Sequence, residues 1–232
     1  MAEINSEQFE KKWYNRWWGI VFLLFLAVGA LLAGIFIFSF VDAVETNNTP
    51  NTNSASNNLA LIETSDDPAL GADKPLITIV EFGDFQCPFC KEEYPIIRRI
   101  ASQYSDVVKL IYRDFPVPAT HPDAIGAALA AGCAQEQGKF WEYHNLLYDN
   151  QSDLSVENLL VMAQGLNLNF DQFSQCLGDQ KYLNEIQNDM LDGIKLGITG
   201  TPTFFINGYK IEGVISYSTW VDLVEKYKTL KK

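Results

Sequence analysis

Histidine is scarce in this chain: His121 and His144 are the only two in 232 residues. No lysine or arginine occurs between Arg16 and Lys74. There is no internal repeat, no second Cys-x-x-Cys and no His-x-x-x-His. Each absence excludes something. One Cys-x-x-Cys with only two histidines leaves few ligands for a tetrahedral zinc set. The net charge of −12 leaves no dominant basic face, so nucleic acid is not an expected partner. What remains is a chain with 47% apolar residues, long enough for one substantial domain and an appendage.

The stretch without basic residues contains a long apolar run. Residues 20–41, IVFLLFLAVGALLAGIFIFSFV, carry no charge. As a helix they would extend about 33 Å, the thickness of a bilayer core. A cleavable signal peptide is the rival, but its apolar region is usually about 7–15 residues, and Asp42-Ala43-Val44 is a poor cleavage site. Residues 19–41 are therefore expected to be an uncleaved transmembrane anchor in the lipid bilayer. Lys11, Lys12 and Arg16 lie just before it, and Asp42 and Glu45 just after. The positive-inside rule places residues 1–18 in the cytoplasm and everything beyond the anchor outside. Trp13, Tyr14, Trp17 and Trp18 suit an interfacial aromatic belt. Residues 42–62, rich in Asn, Ser and Thr, read as a flexible linker to a domain at 63–232.

Outside the membrane disulfides persist, and that bears on FGDFQCPFCKEEYP, residues 82–95. LITIVEF (76–82) is a short run rich in Ile and Val, a strand buried on both faces. Pro88 fits the first turn of a helix, where its missing N–H costs nothing. Apolar residues at Ile96, Ile97, Ile100 and Tyr104 continue that helix, with a kink expected at Pro95. Cys87 thus sits at a helix N-terminus, where free N–H groups and the dipole favour a thiolate. Cys87 and Cys90 can exchange disulfides, form a static bridge or give half a zinc site; exchange fits best, with Cys87 as the more exposed nucleophile and Cys90 resolving the mixed disulfide. Glu81 ends the strand below them. A carboxylate there is expected to be partly desolvated, with a raised pKa, and able to take the Cys90 proton. The bland alternative is an exposed strand-end glutamate; Lys109 and Arg113 are both candidates for its counter-charge.

VVKLIYRDF (107–115) reads as a second strand. From about 117 to 196 the chain is helical: an Ala-rich stretch from His121 broken near Gly138, then helices near 155–165, 169–177 and 179–196. His121 is expected to cap the first of these, and His144 to be structural. Phe140, Tyr143 and Leu147 are spaced as core. TFFIN (203–207) and YKIEG (209–213) form a hairpin about Asn207-Gly208, followed by an amphipathic helix. Cys133 and Cys176 lie among apolar neighbours, as buried thiols or as a disulfide. Pro202 could be an ordinary strand-opening proline.

VEFGDFQCPFC, AALAAGCAQEQGKFWEYHNLLY and GITGTPTFFINGYKIEG, in that order, resemble the DsbA-like branch of the thioredoxin superfamily over residues 66–230. The resemblance implies an α/β thioredoxin-like core with a helical insertion, here preceded by the transmembrane helix. It implies that Thr201-Pro202 is a cis-proline loop packed on the Cys-x-x-Cys, with Thr201, Pro202, Pro88 and Phe89 contacting substrate. It also implies that Cys133 and Cys176 pair; such a loop contributes about 4 kcal/mol in the chain-entropy model. One departure stands out. The strongest oxidases of the branch carry histidine where this chain has Phe89, which cannot donate to the thiolate, so a weaker oxidant is expected. The expected function is an extracytoplasmic thiol-disulfide oxidase without cofactor, acting on reduced or unfolded secreted proteins and reoxidised by a membrane redox partner. A reductase or isomerase is the nearest alternative, and a tethered chaperone or metal carrier a more distant one.

Overall fold

A computed structural model describes residues 62–230. The expected cytoplasmic segment, the anchor at 19–41 and nearly all of the linker lie outside the described residues. Among the described residues, no helix is long and apolar enough to cross a membrane.

Five strands form one sheet in the order β1-β3-β2-β4-β5. They are β1 (Ala69–Gly71), β2 (Ile77–Gly83), β3 (Val108–Asp114), β4 (Thr203–Ile206) and β5 (Tyr209–Glu212). β2 and β3 are parallel, joined by helix α1 (Pro88–Gln103); the other three pairings are antiparallel. The parallel pair is rich in β-branched residues and buried on both faces, as a central sheet with two covered sides requires.

The period-2 alternation of the strands sorts the core. Ile77, Ile79, Val108, Leu110, Phe204 and Ile206 point to one face and pack with Ile97 and Ile100 of α1 and with Trp220 and Val224 of α7 (Tyr217–Leu230). Val80, Phe82, Ile111 and Phe205 point to the other, with Phe115 and Ile198. Ile62, expected at the end of the linker, is buried in this second cluster. Glu81 shares the parity of Ile77 and Ile79, so it projects beneath α1, the helix that carries Cys90.

The insertion consists of α2 (Ala124–Gln135), α3 (Phe140–Asp149), α4 (Val156–Gly165), α5 (Phe170–Gly178) and α6 (Leu183–Lys195). α2 is apolar all round and almost wholly buried, the signature of a central helix. The other insertion helices surround it in a separate core. Gly138, at φ 69°, takes the left-handed turn that separates α2 from α3. Cys133 of α2 and Cys176 of α5 are joined by a disulfide, Cα to Cα 5.8 Å.

Candidate active site

The end of β2 turns sharply into α1. The Cys87 N–H donates to the Asp84 carbonyl at 3.0 Å. The buried Asp84 carboxylate accepts from the Gln86 N–H and the Val117 N–H, both at 2.8 Å, and lies 2.7 Å from His121 Nδ1. Gln86 and Asp123 bond reciprocally: Nε2 to Oδ2 at 3.0 Å, and Asp123 N–H to Oε1 at 2.8 Å. His121 therefore braces the active-site turn. The residue at the cap position of α2 is Asp123, not His121.

Cys87 is the cap residue of α1 and Pro88 is at its first position. The helix continues through Pro95 to Gln103. Both thiols are buried, Cys87 at 4% exposed and Cys90 at 0%; Cys87 is the more accessible of the two, the order expected, but it is less open to solvent than a free nucleophile would be. They are unbonded to each other. Phe89 between them is 59% exposed. The Thr201–Pro202 bond is cis, and the Cys87 Sγ lies 3.3 Å from the Thr201 carbonyl oxygen. Thus Cys87, Cys90, Pro88, Phe89, Thr201 and Pro202, drawn from two distant segments, share one site.

The environments of the two thiols differ. The Cys87 pKa is pulled down to about 5, first by the Cys90 thiol donating to it, with smaller contributions from Thr201 and the Cys90 and Phe89 N–H groups; partial burial opposes them. Burial pushes the Cys90 thiol well up, and the neighbouring Cys87 sulfur adds to the effect. One sulfur is poised as a thiolate and the other holds its proton.

Glu81 is fully buried, and neither carboxylate oxygen has a hydrogen-bond partner. Burial raises its pKa to about 8; Glu93 raises it further and Arg98 opposes. The exposed strand-end alternative is thereby excluded. The counter-charge is neither of the two residues considered from the sequence. Lys109 pairs with Glu63 at 2.8 Å. Arg113 is drawn to the other side by Asp189, Asp192 (3.2 Å) and Asp67 (3.4 Å). Arg98 of α1 takes the role, its guanidinium 4.6 Å from the Trp141 ring centre. A two-state alternation of strands reveals which residues share a face; it says nothing about a helix laid across them, so Arg98 gave no signal.

Glu93 also faces inward from α1, accepting from Trp220 Nε1 and the Ile215 N–H, both at 2.7 Å. His144 is buried in an aromatic box that includes Phe85, Tyr112, Trp141 and Tyr148, and burial lowers its pKa to about 3. It is a neutral core group. Tyr112 and Tyr148 meet hydroxyl to hydroxyl at 3.2 Å. An added Cβ at Gly83 would stand 2.6 Å from the Tyr112 ring, so only glycine lets β2 pass here. Among the described residues no group of three or more His, Cys, Asp or Glu is arranged to hold a metal ion.

Known proteins share this fold. A thioredoxin-like oxidoreductase from Silicibacter pomeroyi is 26% identical, superposes over 73% of this chain and 96% of its own, and gives a TM-score of 0.65. Alpha-DsbA1 from Wolbachia pipientis is 26% identical over 74% of this chain and 96% of its own, at 0.64. BdbD from Bacillus subtilis, at 23% identity and a TM-score of 0.61, shares the fold. In sequence, a 138-residue segment is 39% identical to a protein named Na(+)/H(+) antiporter NhaA 1 of Salinispora arenicola. The chain spans about a fifth of that relative's length, 21%, so the antiporter name describes a much longer protein. Residues 63–226 match the family described as Thioredoxin. The chain belongs to the thioredoxin family, among its DsbA-like thiol-disulfide oxidoreductases.

Proposed function

We propose that this protein is a membrane-anchored, extracytoplasmic thiol-disulfide oxidase that passes the Cys87–Cys90 disulfide to reduced secreted proteins. The observation that carries the reading is the asymmetry of the thiols: a Cys87 thiolate at a helix N-terminus beside the Thr201–Pro202 loop, over a Cys90 that holds its proton. A site whose reduced form is stabilised is an oxidising site.

In the oxidised enzyme a substrate thiolate attacks the Cys87 sulfur. The Cys87–Cys90 bond breaks, a mixed disulfide forms on Cys87, and the electron pair leaves on Cys90. Glu81, protonated below about pH 8, lies beneath α1 to supply the proton that the buried Cys90 sulfur requires. A second substrate thiolate then attacks the substrate sulfur of the mixed disulfide. The substrate leaves oxidised and Cys87 leaves as a thiolate. The enzyme has gained two electrons, which a membrane redox partner would withdraw while Glu81 takes the Cys90 proton back. The Thr201 backbone and the exposed Phe89 border the sulfur where an extended substrate segment would lie. The anchor at 19–41 and the external location rest on the charge asymmetry about that segment. Phe89 favours a second reading, a reductase or isomerase, because it cannot donate to the thiolate as histidine can.

The test is trapping. Cys90→Ser should accumulate mixed disulfides through Cys87 with unfolded proteins that carry a disulfide: the Cys87 thiolate attacks it, one substrate sulfur leaves as a thiolate, and no Cys90 remains to resolve the intermediate. Cys87→Ser should capture none. Capture through Cys90 in the Cys87→Ser variant would overturn the assignment of nucleophile.

A further inference from the structure

Gln151 follows the end of α3, in the loop to α4, and its side chain reaches back to the active-site turn. Its Nε2 donates to the Phe85 carbonyl at 2.9 Å and to the Cys87 carbonyl at 2.8 Å, across 66 and 64 residues. Both amide hydrogens are thereby used. The Cys87 carbonyl is a decisive group. It accepts the first intrahelical bond of α1, from Lys91 N–H at 3.1 Å. It belongs to the peptide bond that precedes Pro88, which has no N–H, so no backbone donor on that plane fixes its direction. At ψ 124° for Cys87 the carbonyl turns towards the insertion while the sulfur turns towards the first turn of α1 and the Thr201 loop. The ties made by Asp84, Gln86 and Asp123 hold residues 84–86 of the same turn but stop short of the Cys87 carbonyl.

We propose that Gln151 is a positioning residue for disulfide exchange: by holding the Phe85 and Cys87 carbonyls towards the insertion, it keeps the N–H groups of the first turn of α1 aimed at the Cys87 sulfur. It also offsets the negative ends of two carbonyl dipoles close to a developing thiolate. The helical insertion thus sets the reactivity of a site to which it contributes no reacting atom. This inference rests on Cys87 as the exchanging thiolate.

Thiolate absorbance against pH tests it on the full protein without any substrate, so the result stands whether or not trapping succeeds. Gln151→Leu keeps the bulk and removes both donors. It should raise the Cys87 pKa by about one unit and shift the glutathione redox equilibrium about tenfold towards the disulfide. Gln151→Glu places an acceptor against both carbonyls and should shift the two quantities further in the same direction. Gln151→Asn, which keeps an amide on a shorter stem, should fall between wild type and Gln151→Leu. A folded Gln151→Leu or Gln151→Glu protein with unchanged Cys87 pKa and unchanged equilibrium would overturn the proposal, even if its melting temperature fell. Should Gln151→Leu fail to fold, the Glu and Asn variants decide by the same readouts.

Discussion

The sulfur of Cys87 lies 3.3 Å from the carbonyl oxygen of Thr201, a residue 114 positions later in the chain. A carbonyl only accepts, so this contact suits the thiol and offers the thiolate nothing. What Thr201 gives the thiolate comes from its side chain, which lowers the Cys87 pKa. Thr201→Val removes the hydroxyl and keeps the backbone. The Cys87 pKa should rise above about 5, without reaching its ordinary value near 9, because the Cys90 thiol and two N–H groups remain. Thiolate absorbance measures this directly. An unchanged pKa would remove Thr201 from the account of the thiolate.

Glu81 makes a prediction with two signs. Its folded pKa of about 8 exceeds the ordinary 4.5. Between those values the folded protein keeps the proton and the unfolded chain releases it. The stabilising contribution is complete below 4.5 and is lost as pH rises towards 8. Glu81→Gln is a near copy of the protonated side chain without that loss. At pH 7 it should be more stable than wild type by up to about 3 kcal/mol, with the gap closing near pH 4.5. The same variant should slow departure of Cys90 from the disulfide, since no proton is available to it. Chemical denaturation at several pH values and stopped-flow exchange provide the two readouts. A variant that is less stable and equally fast would remove Glu81 from the mechanism.

The Cys133–Cys176 bridge lies within the insertion, joining α2 to α5. Cys133→Ala should cost about 2–5 kcal/mol of stability. Exchange through Cys87 should survive, because the reacting atoms lie on α1. Non-reducing peptide mapping of wild type should recover Cys133 linked to Cys176; free thiols at both positions would contradict the structure.

The strands and breaks were legible because local rules set them. The Ile- and Val-rich run at 76–82 became β2, shifted by one residue, and Asn207-Gly208, both with positive φ, closes the hairpin of β4 and β5. Gly138 breaks the helix where expected. β1 went unread because three residues, Ala69–Gly71, carry no periodicity, and its place is set by pairing with β3. At the site, the spacing of Cys87 and Cys90 and the strand position of Glu81 were visible locally. Arg98, Gln151 and the bond between His121 and Asp84 were not. Each depends on how a helix or loop from elsewhere in the chain lies over the turn, and no sequence period encodes that.

The oxidase reading turns on the potential of the Cys87–Cys90 couple, measured by equilibration with glutathione. A Cys87 pKa of about 5 lies between the roughly 7 of thioredoxin and the roughly 3.5 of the strongest oxidase. The potential should follow, falling at about −180 mV, within the range of about −270 to −120 mV that those two set. Phe89→His adds a donor beside the sulfur and should move it to the positive end of that range. A wild-type value near the −270 mV or so of thioredoxin would contradict the account and make this chain a reductase.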